Sequence, residues 1–85
     1  MAAVTIYTKP FCPYCVRALG LLERKGAEVT EIEAAFDAGK RAEMLQKSGG
    51  AATYPQIFIG GRHVGGCDDL HDLEAQGRLD ALLAG

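Results

Sequence analysis

No run of apolar residues in this chain of 85 approaches the roughly 18–20 positions needed to cross a bilayer, so a membrane is not an expected partner. Positive charge is not in excess either. Nine Lys and Arg against eleven Asp and Glu leave a formal charge of −2, whereas a domain that grips nucleic-acid phosphates is normally basic. The first ten residues, Met1 to Pro10, lack a basic segment ahead of an apolar block. They read as the opening strand of a fold rather than as a signal peptide. No internal repeat, low-complexity tract or linker is visible. Cysteine is scarce: Cys12, Cys15 and Cys67 are the only three. An odd, small number is wrong for a disulfide-stapled secreted mini-protein. With no secretion signal the expected compartment is the reducing cytoplasm. Cysteines there serve as buried hydrophobes, metal ligands or redox catalysts.

What is present describes one domain over residues 1–85. Apolar residues make up 48% and charged residues 24%, ordinary for a soluble globular chain. At this size a fold buries roughly 60–65% of the surface its unfolded chain exposes. That supports one modest core and excludes a large enzyme with its own cofactor domain.

Val4 to Thr8 alternates β-branched and aromatic residues, a strand signal. From Pro13 to Lys25 the pattern turns helical, with Val16, Leu19 and Leu22 on one face. Pro13 suits the first helical position, and Gly26 suits the position just past the end. Glu28 to Glu33 reads as an alternating second strand, making a βαβ unit with parallel strands and a right-handed crossover. Asp37 or Gly39 opens a second helix to about Lys47, with Ala42, Met44 and Leu45 inward, and Ser48-Gly49-Gly50 ends it. Pro55 to Ile59 is a third strand, Gly60-Gly61 a hairpin turn and Arg62 to Val64 a fourth strand. Asp68 or Asp69 then caps a last helix through Leu73. Gly77 interrupts it before Leu79, Leu82 and Leu83 complete the core. The order βαβαββα predicts an α/β fold: a mixed four-stranded sheet with flanking helices.

Cys12-Pro13-Tyr14-Cys15 carries the chemistry. A C-x-x-C pair between the strand and helix of a βαβ unit reads as a thiol–disulfide redox site. Cys12 falls at the helix N-terminus, where unpaired N–H groups and the positive end of the dipole favour an anion. The thiolate is the attacking form of cysteine. Lys9 adds positive charge nearby. Cys15 lies one turn further in, close enough to close a disulfide, so Cys12 attacks and Cys15 resolves. Zinc is the rival reading. A metal site needs about four ligands, and Cys67, His63 and His71 could complete one with the pair on paper, but a helix begins inside the cysteine pair and the spacing from Cys15 to His63 fits no common finger. No metal is expected.

The chain resembles the glutaredoxin family, in particular its small bacterial dithiol members. The resemblance rests on Ile6-Tyr7-Thr8-Lys9 ahead of C-P-Y-C, on Arg41, Met44 and Ser48-Gly49, on Thr53-x-Pro55-Gln56-Ile57-Phe58-Ile59, and on Gly65-Gly66-Cys67-Asp68-Asp69-Leu70. It implies a thioredoxin fold and a glutathione-dependent oxidoreductase. In the positions it carries over, Lys9 and Arg41 hold the glycyl carboxylate of glutathione. The backbone of Tyr54, before a cis Pro55 and after Thr53, pairs with the cysteinyl residue like a short added strand. The N–H groups that follow Gly66, those of Cys67 and Asp68, take the γ-glutamyl carboxylate. The Asp68 side chain takes its ammonium, and Tyr14 lines the cleft beside the sulfurs. Two departures set this chain apart: Tyr54 stands where the family usually has valine, and Gly49 to Ala52 is one residue longer than usual.

The resemblance implies a monomer that uses glutathione as reductant and acts on glutathionylated or disulfide-bearing proteins, ribonucleotide reductase among the candidates. Two other readings stay open on sequence. One is a glutaredoxin that holds a two-iron two-sulfur cluster between subunits. The other is a glutathione-independent redoxin served by thioredoxin reductase.

Overall fold

The computed structural model describes residues 2–85. Strand β1 (Ala3–Thr8) runs into helix α1 (Pro13–Arg24), which returns to β2 (Glu28–Glu33). Helix α2 (Ala38–Lys47), the hairpin β3 (Gln56–Ile59) and β4 (Arg62–Gly65), and helices α3 (Cys67–Ala75) and α4 (Leu79–Ala84) follow. The sheet order is β2-β1-β3-β4, with β1 parallel to β2 and antiparallel to β3. This is the expected mixed sheet, with the end of the chain forming two short helices rather than one.

The sheet has a helical layer on each face. Val4 and Ile6 of β1 and Ile57 and Ile59 of β3 pack against Ala18, Leu21 and Leu22 of α1, Leu70 of α3, and Leu79 and Leu83 of α4. On the other face Tyr7 and Phe58 meet Met44 of α2 and Ala34, their two rings edge to face at 5.7 Å. The Tyr7 hydroxyl donates to Glu43 Oε2 at 2.6 Å, tying β1 to α2. Lys25, the C-cap of α1, bridges Glu74 of α3 at 2.8 Å and Asp80 of α4 at 2.9 Å.

Four details differ from the sequence reading. Val16 is 68% exposed, and the inward face of α1 is Cys15, Ala18, Leu21 and Leu22. The helix is phased by the cysteine pair, because turning Cys15 inward rotates Val16 out. Ala42 is exposed, and Met44 alone anchors α2 with Leu45 half-buried. The N-cap of α3 is Gly66, not Asp68 or Asp69. Finally, Val29 and Ile32 of β2 pack on opposite faces, so the strand does not alternate strictly. Side chains two apart share a face. Glu31 and Glu33 therefore lie on the Val29 face, beneath α1.

Turn chemistry sets the rest. Asp37 caps α2, its Oδ1 accepting the Lys40 N–H at 3.0 Å. Gly60 and Gly61 have φ of 58° and 81°, the left-handed pair a two-residue hairpin turn demands.

Candidate functional site

The parallel strands β1 and β2 end on the same edge of the sheet, and the chain leaves β1 there through Lys9, Pro10 and Phe11. Phe11 takes φ 56° and stands fully exposed. Cys12 is the N-cap of α1 in extended conformation, and Pro13 occupies the first turn. The Cys12 sulfur accepts the backbone N–H of Cys15 at 3.2 Å. It thus replaces one of the carbonyl partners the first turn lacks, at the positive end of the helix. Both thiols are free and buried, at 4% and 3% exposure. They are not equivalent. Burial, followed by the contact with Cys12, pushes the Cys15 thiol up to about 12. Cys15 is thus held as a thiol beside a sulfur that the helix start solvates.

Two grooves flank the pair. The first, about 400 Å³, is lined by Tyr14 of α1, by Thr53, Tyr54 and Pro55, and by Gly66, Cys67 and Asp68 at the start of α3. Seven residues singled out for glutathione therefore share one wall-to-wall cleft. The Tyr54–Pro55 peptide is cis. The first-turn N–H groups of α3 have no intrahelical partner, and the positive end of its dipole opens on this cleft. Lys9 lines a second groove, about 450 Å³, together with Cys12, Cys15, Leu19, Glu31 and Glu33. Arg41 is exposed on α2 and lines neither.

The cleft is braced by contacts the sequence reading missed. Gln56, buried in β3, donates through Nε2 to the Thr53 carbonyl at 2.9 Å and to Thr53 Oγ1 at 3.0 Å. Its Oε1 lies 2.7 Å from His63 Nε2. Because the Gln56 amide nitrogen is committed to Thr53, its oxygen accepts and His63 donates. His63 also stacks on Phe58 at 4.9 Å. A hydrophobic strand motif hid this role, because a glutamine next to Ile57 gives no sign of its partners. Gly65 has φ 122°, and a Cβ there would run into the Asp69 carboxylate. That close approach lets Asp69 Oδ2 accept the Gly66 N–H at 2.9 Å.

Tyr54 is half-buried, and its ring leans on the Tyr7–Met44–Phe58 cluster with its hydroxyl buried and unpartnered among the described residues. The larger ring thus packs toward α2 while its backbone borders the cleft. Cys67 is buried, and burial raises its thiol above the ordinary range, opposed by Arg17. His71 Nδ1 lies 2.9 Å from the Cys67 carbonyl and 3.4 Å from its sulfur. Of the five groups weighed for zinc, Cys12 contacts Cys15 and Cys67 contacts His71, while His63 is held by Gln56. Among the described residues no three His, Cys, Asp or Glu side chains converge.

A pair of inequivalent thiols at a helix start, with a ligand-sized cleft beside them, is equipped for thiol–disulfide exchange. Comparisons with known proteins agree. The family model described as Glutaredoxin matches residues 4–64. A glutaredoxin of Pseudomonas aeruginosa is 55% identical over 84 residues, spanning 99% of each chain. The solution structure of a glutaredoxin from Brucella melitensis superposes with a TM-score of 0.83 at 60% identity, over 98% of this chain and 89% of that one. A buckwheat glutaredoxin, crystallised as its complex with glutathione, gives a TM-score of 0.85 at 32% identity, over 98% of this chain and 77% of that one. With its thioredoxin-type sheet and its dithiol at the start of α1, the chain is a thiol–disulfide oxidoreductase and belongs to the glutaredoxin family, among its small bacterial members.

Proposed function

We propose that this protein reduces protein–glutathione mixed disulfides and protein disulfides with electrons from glutathione in the bacterial cytoplasm. The observation that carries this reading is the cleft of about 400 Å³ joining Thr53-Tyr54-Pro55 to the N-terminus of α3, with Tyr14 of the dithiol loop in its wall. A tripeptide with a carboxylate at one end and an α-amino acid at the other suits such a cleft. The Tyr54 backbone offers an edge for its cysteinyl unit. The first-turn N–H groups of α3 suit the γ-glutamyl carboxylate, and the exposed Asp68 carboxylate suits the ammonium. The family resemblance gives the glycyl carboxylate to Lys9 and Arg41, of which Lys9 stands beside Cys12 in the second groove and Arg41 lines neither groove. The buckwheat glutaredoxin supports glutathione as the ligand.

The reaction follows from the inequivalence of the thiols. Cys12 Sγ attacks the glutathione sulfur of a mixed disulfide. The protein sulfur leaves as a thiolate, and the glutathionyl group stays on Cys12. A second glutathione attacks that bond, releasing glutathione disulfide and regenerating Cys12. On a protein disulfide, Cys12 forms the mixed disulfide with one substrate sulfur. Cys15 displaces that sulfur, leaving a Cys12–Cys15 bond that two glutathiones reduce.

Paired substitutions test this. Cys12→Ser abolishes both activities, whereas Cys15→Ser retains deglutathionylation and loses reduction of a protein disulfide. Loss of both activities in folded Cys15→Ser overturns the two-route scheme.

A further inference from the structure

Glu31 is a carboxylate on the face of β2 that looks toward α1. In register it lies opposite Ile6, where an apolar residue would extend the core. Its Oε2 instead accepts the hydroxyl of Thr8 at 2.8 Å, and Thr8 itself is 1% exposed. An inward hydroxyl thus fixes an acid at the rim of the core. The carboxylate lines the same groove as Cys12 and Cys15, beneath the first turn of α1.

Cys15 meets few other ionisable groups. Burial and the Cys12 sulfur hold its proton, and the Glu31 charge adds to this, while the Lys9 backbone opposes it. Once a substrate occupies Cys12, that sulfur is part of a disulfide and accepts nothing. The Lys9 ammonium has no acceptor. Cys67, on α3, is itself a buried thiol raised by its burial and lines the other groove. Glu33 lines the groove, but among the described residues no hydrogen bond fixes its carboxylate. Burial still favours the protonated Cys15 thiol at that stage, and the groove that holds both sulfurs contains one carboxylate anchored by a hydrogen bond.

We infer that Glu31 is the proton acceptor for Cys15 when Cys15 resolves a mixed disulfide on Cys12. The inference rests on the resolving role of Cys15 proposed above. The Cys15 Sγ–H proton passes to the Glu31 carboxylate, directly or through one water. The freed electron pair on Cys15 Sγ forms the bond to Cys12 Sγ. The bond from Cys12 to the substrate sulfur breaks, and that sulfur leaves as a thiolate. The dithiol is oxidised to a disulfide and the substrate disulfide is reduced. Glu31 returns its proton to solvent through the open groove.

Two roles for Glu31 predict opposite signs. A carboxylate that only opposes ionisation of Cys15 would slow resolution, and removing it would speed the step. A proton acceptor speeds resolution, and removing it slows the step. The experiment follows reduction of a protein disulfide by the reduced enzyme without glutathione, across the neutral-to-alkaline range, for wild type, Glu31→Gln, Thr8→Val and Cys15→Ser. Each rate is divided by the same enzyme's deglutathionylation rate, a route that uses Cys12 alone. Glu31→Gln keeps an acceptor for Thr8 but removes the base. Its ratio falls on the order of tenfold to a hundredfold near neutrality and recovers as pH rises. Thr8→Val, which frees the carboxylate, gives a smaller fall. A ratio for Glu31→Gln equal to or above wild type overturns the inference. If wild type reduces the disulfide no faster than Cys15→Ser, the resolving role itself fails, and the inference fails with it.

Discussion

Asp69 Oδ2 accepts the backbone N–H of Gly66 at 2.9 Å, reaching back from the third residue of α3 to its N-cap. A glycine cap has no side chain to return the bond, so Asp69 carries this end of the helix alone. Its neighbour Asp68 is exposed, and no side-chain hydrogen bond engages it among the described residues. Capping thus falls to Asp69, and the ligand role proposed for Asp68 does not compete with it.

The two duties separate by mutation. Asp69→Ala lowers stability by about 1 kcal/mol, the usual cost of a lost cap, read as a shift in the denaturation midpoint. Asp68→Ala leaves stability within a few tenths of a kcal/mol. It raises KM for a glutathionylated substrate on the order of tenfold, the worth of a charge-assisted contact, relative to a small disulfide without a γ-glutamyl group. Equal effects on the two substrates would place the γ-glutamyl site elsewhere.

Gln56 links Thr53 to His63, so its loss strands two partners at once. Gln56→Leu keeps the volume and the strand. It leaves Thr53 and His63 unsatisfied, at a cost of about 1–3 kcal/mol. With the Thr53–Pro55 segment released, KM for glutathionylated substrates rises while the order of reactivity of Cys12 and Cys15 toward an alkylating reagent stays as in wild type. A change in that order would tie Gln56 to the dithiol itself.

Stability falls at alkaline pH through Tyr7. Burial, then the contact with Glu43, raises its hydroxyl from the ordinary 10.0 to about 12. Below pH 10 both folded and unfolded chains hold this proton, and the full contribution is present. Between about pH 10 and 12 only the unfolded chain releases it, so unfolding becomes progressively easier. Tyr7→Phe flattens this part of the curve in urea titrations at stepped pH. An unchanged slope would assign the alkaline loss to another group.

Much of this architecture was legible in the sequence because local signals and tertiary demands agree. Pro13 and Gly26 bracket α1, Asp37 caps α2, and Gly60-Gly61 turns the hairpin, each through backbone chemistry a residue type announces. The phase of α1 was not legible, because Val16 and Leu19 fit a helical stripe as well as Ala18 and Leu22 do. Only the inward turn of Cys15 selects between them. Glu31 is an exposed strand acid, and only the opposite facing of Val29 and Ile32 shows that it lies on the α1 side. The Gly66 cap and the Gln56 brace depend on partners brought in by β4 and α3. The cysteine pair was legible in its own spacing, whereas Tyr14, Thr53, Tyr54, Pro55, Gly66, Cys67 and Asp68 came from the family resemblance, and these seven share one cleft. Lys9 and Arg41 are not in it, because the sheet edge and α2 carry them elsewhere.

The central claim is that Cys12 attacks the glutathione sulfur and the cleft beside it keeps the glutathionyl half. The most direct measurement treats reduced Cys15→Ser with one equivalent of a glutathionylated protein, without free glutathione, followed by intact-mass and peptide analysis. The account predicts a mass gain of one glutathionyl group, located on Cys12, with the substrate protein released as its thiol. A disulfide joining Cys12 to the substrate protein, or a glutathionyl group found on Cys67, would contradict it.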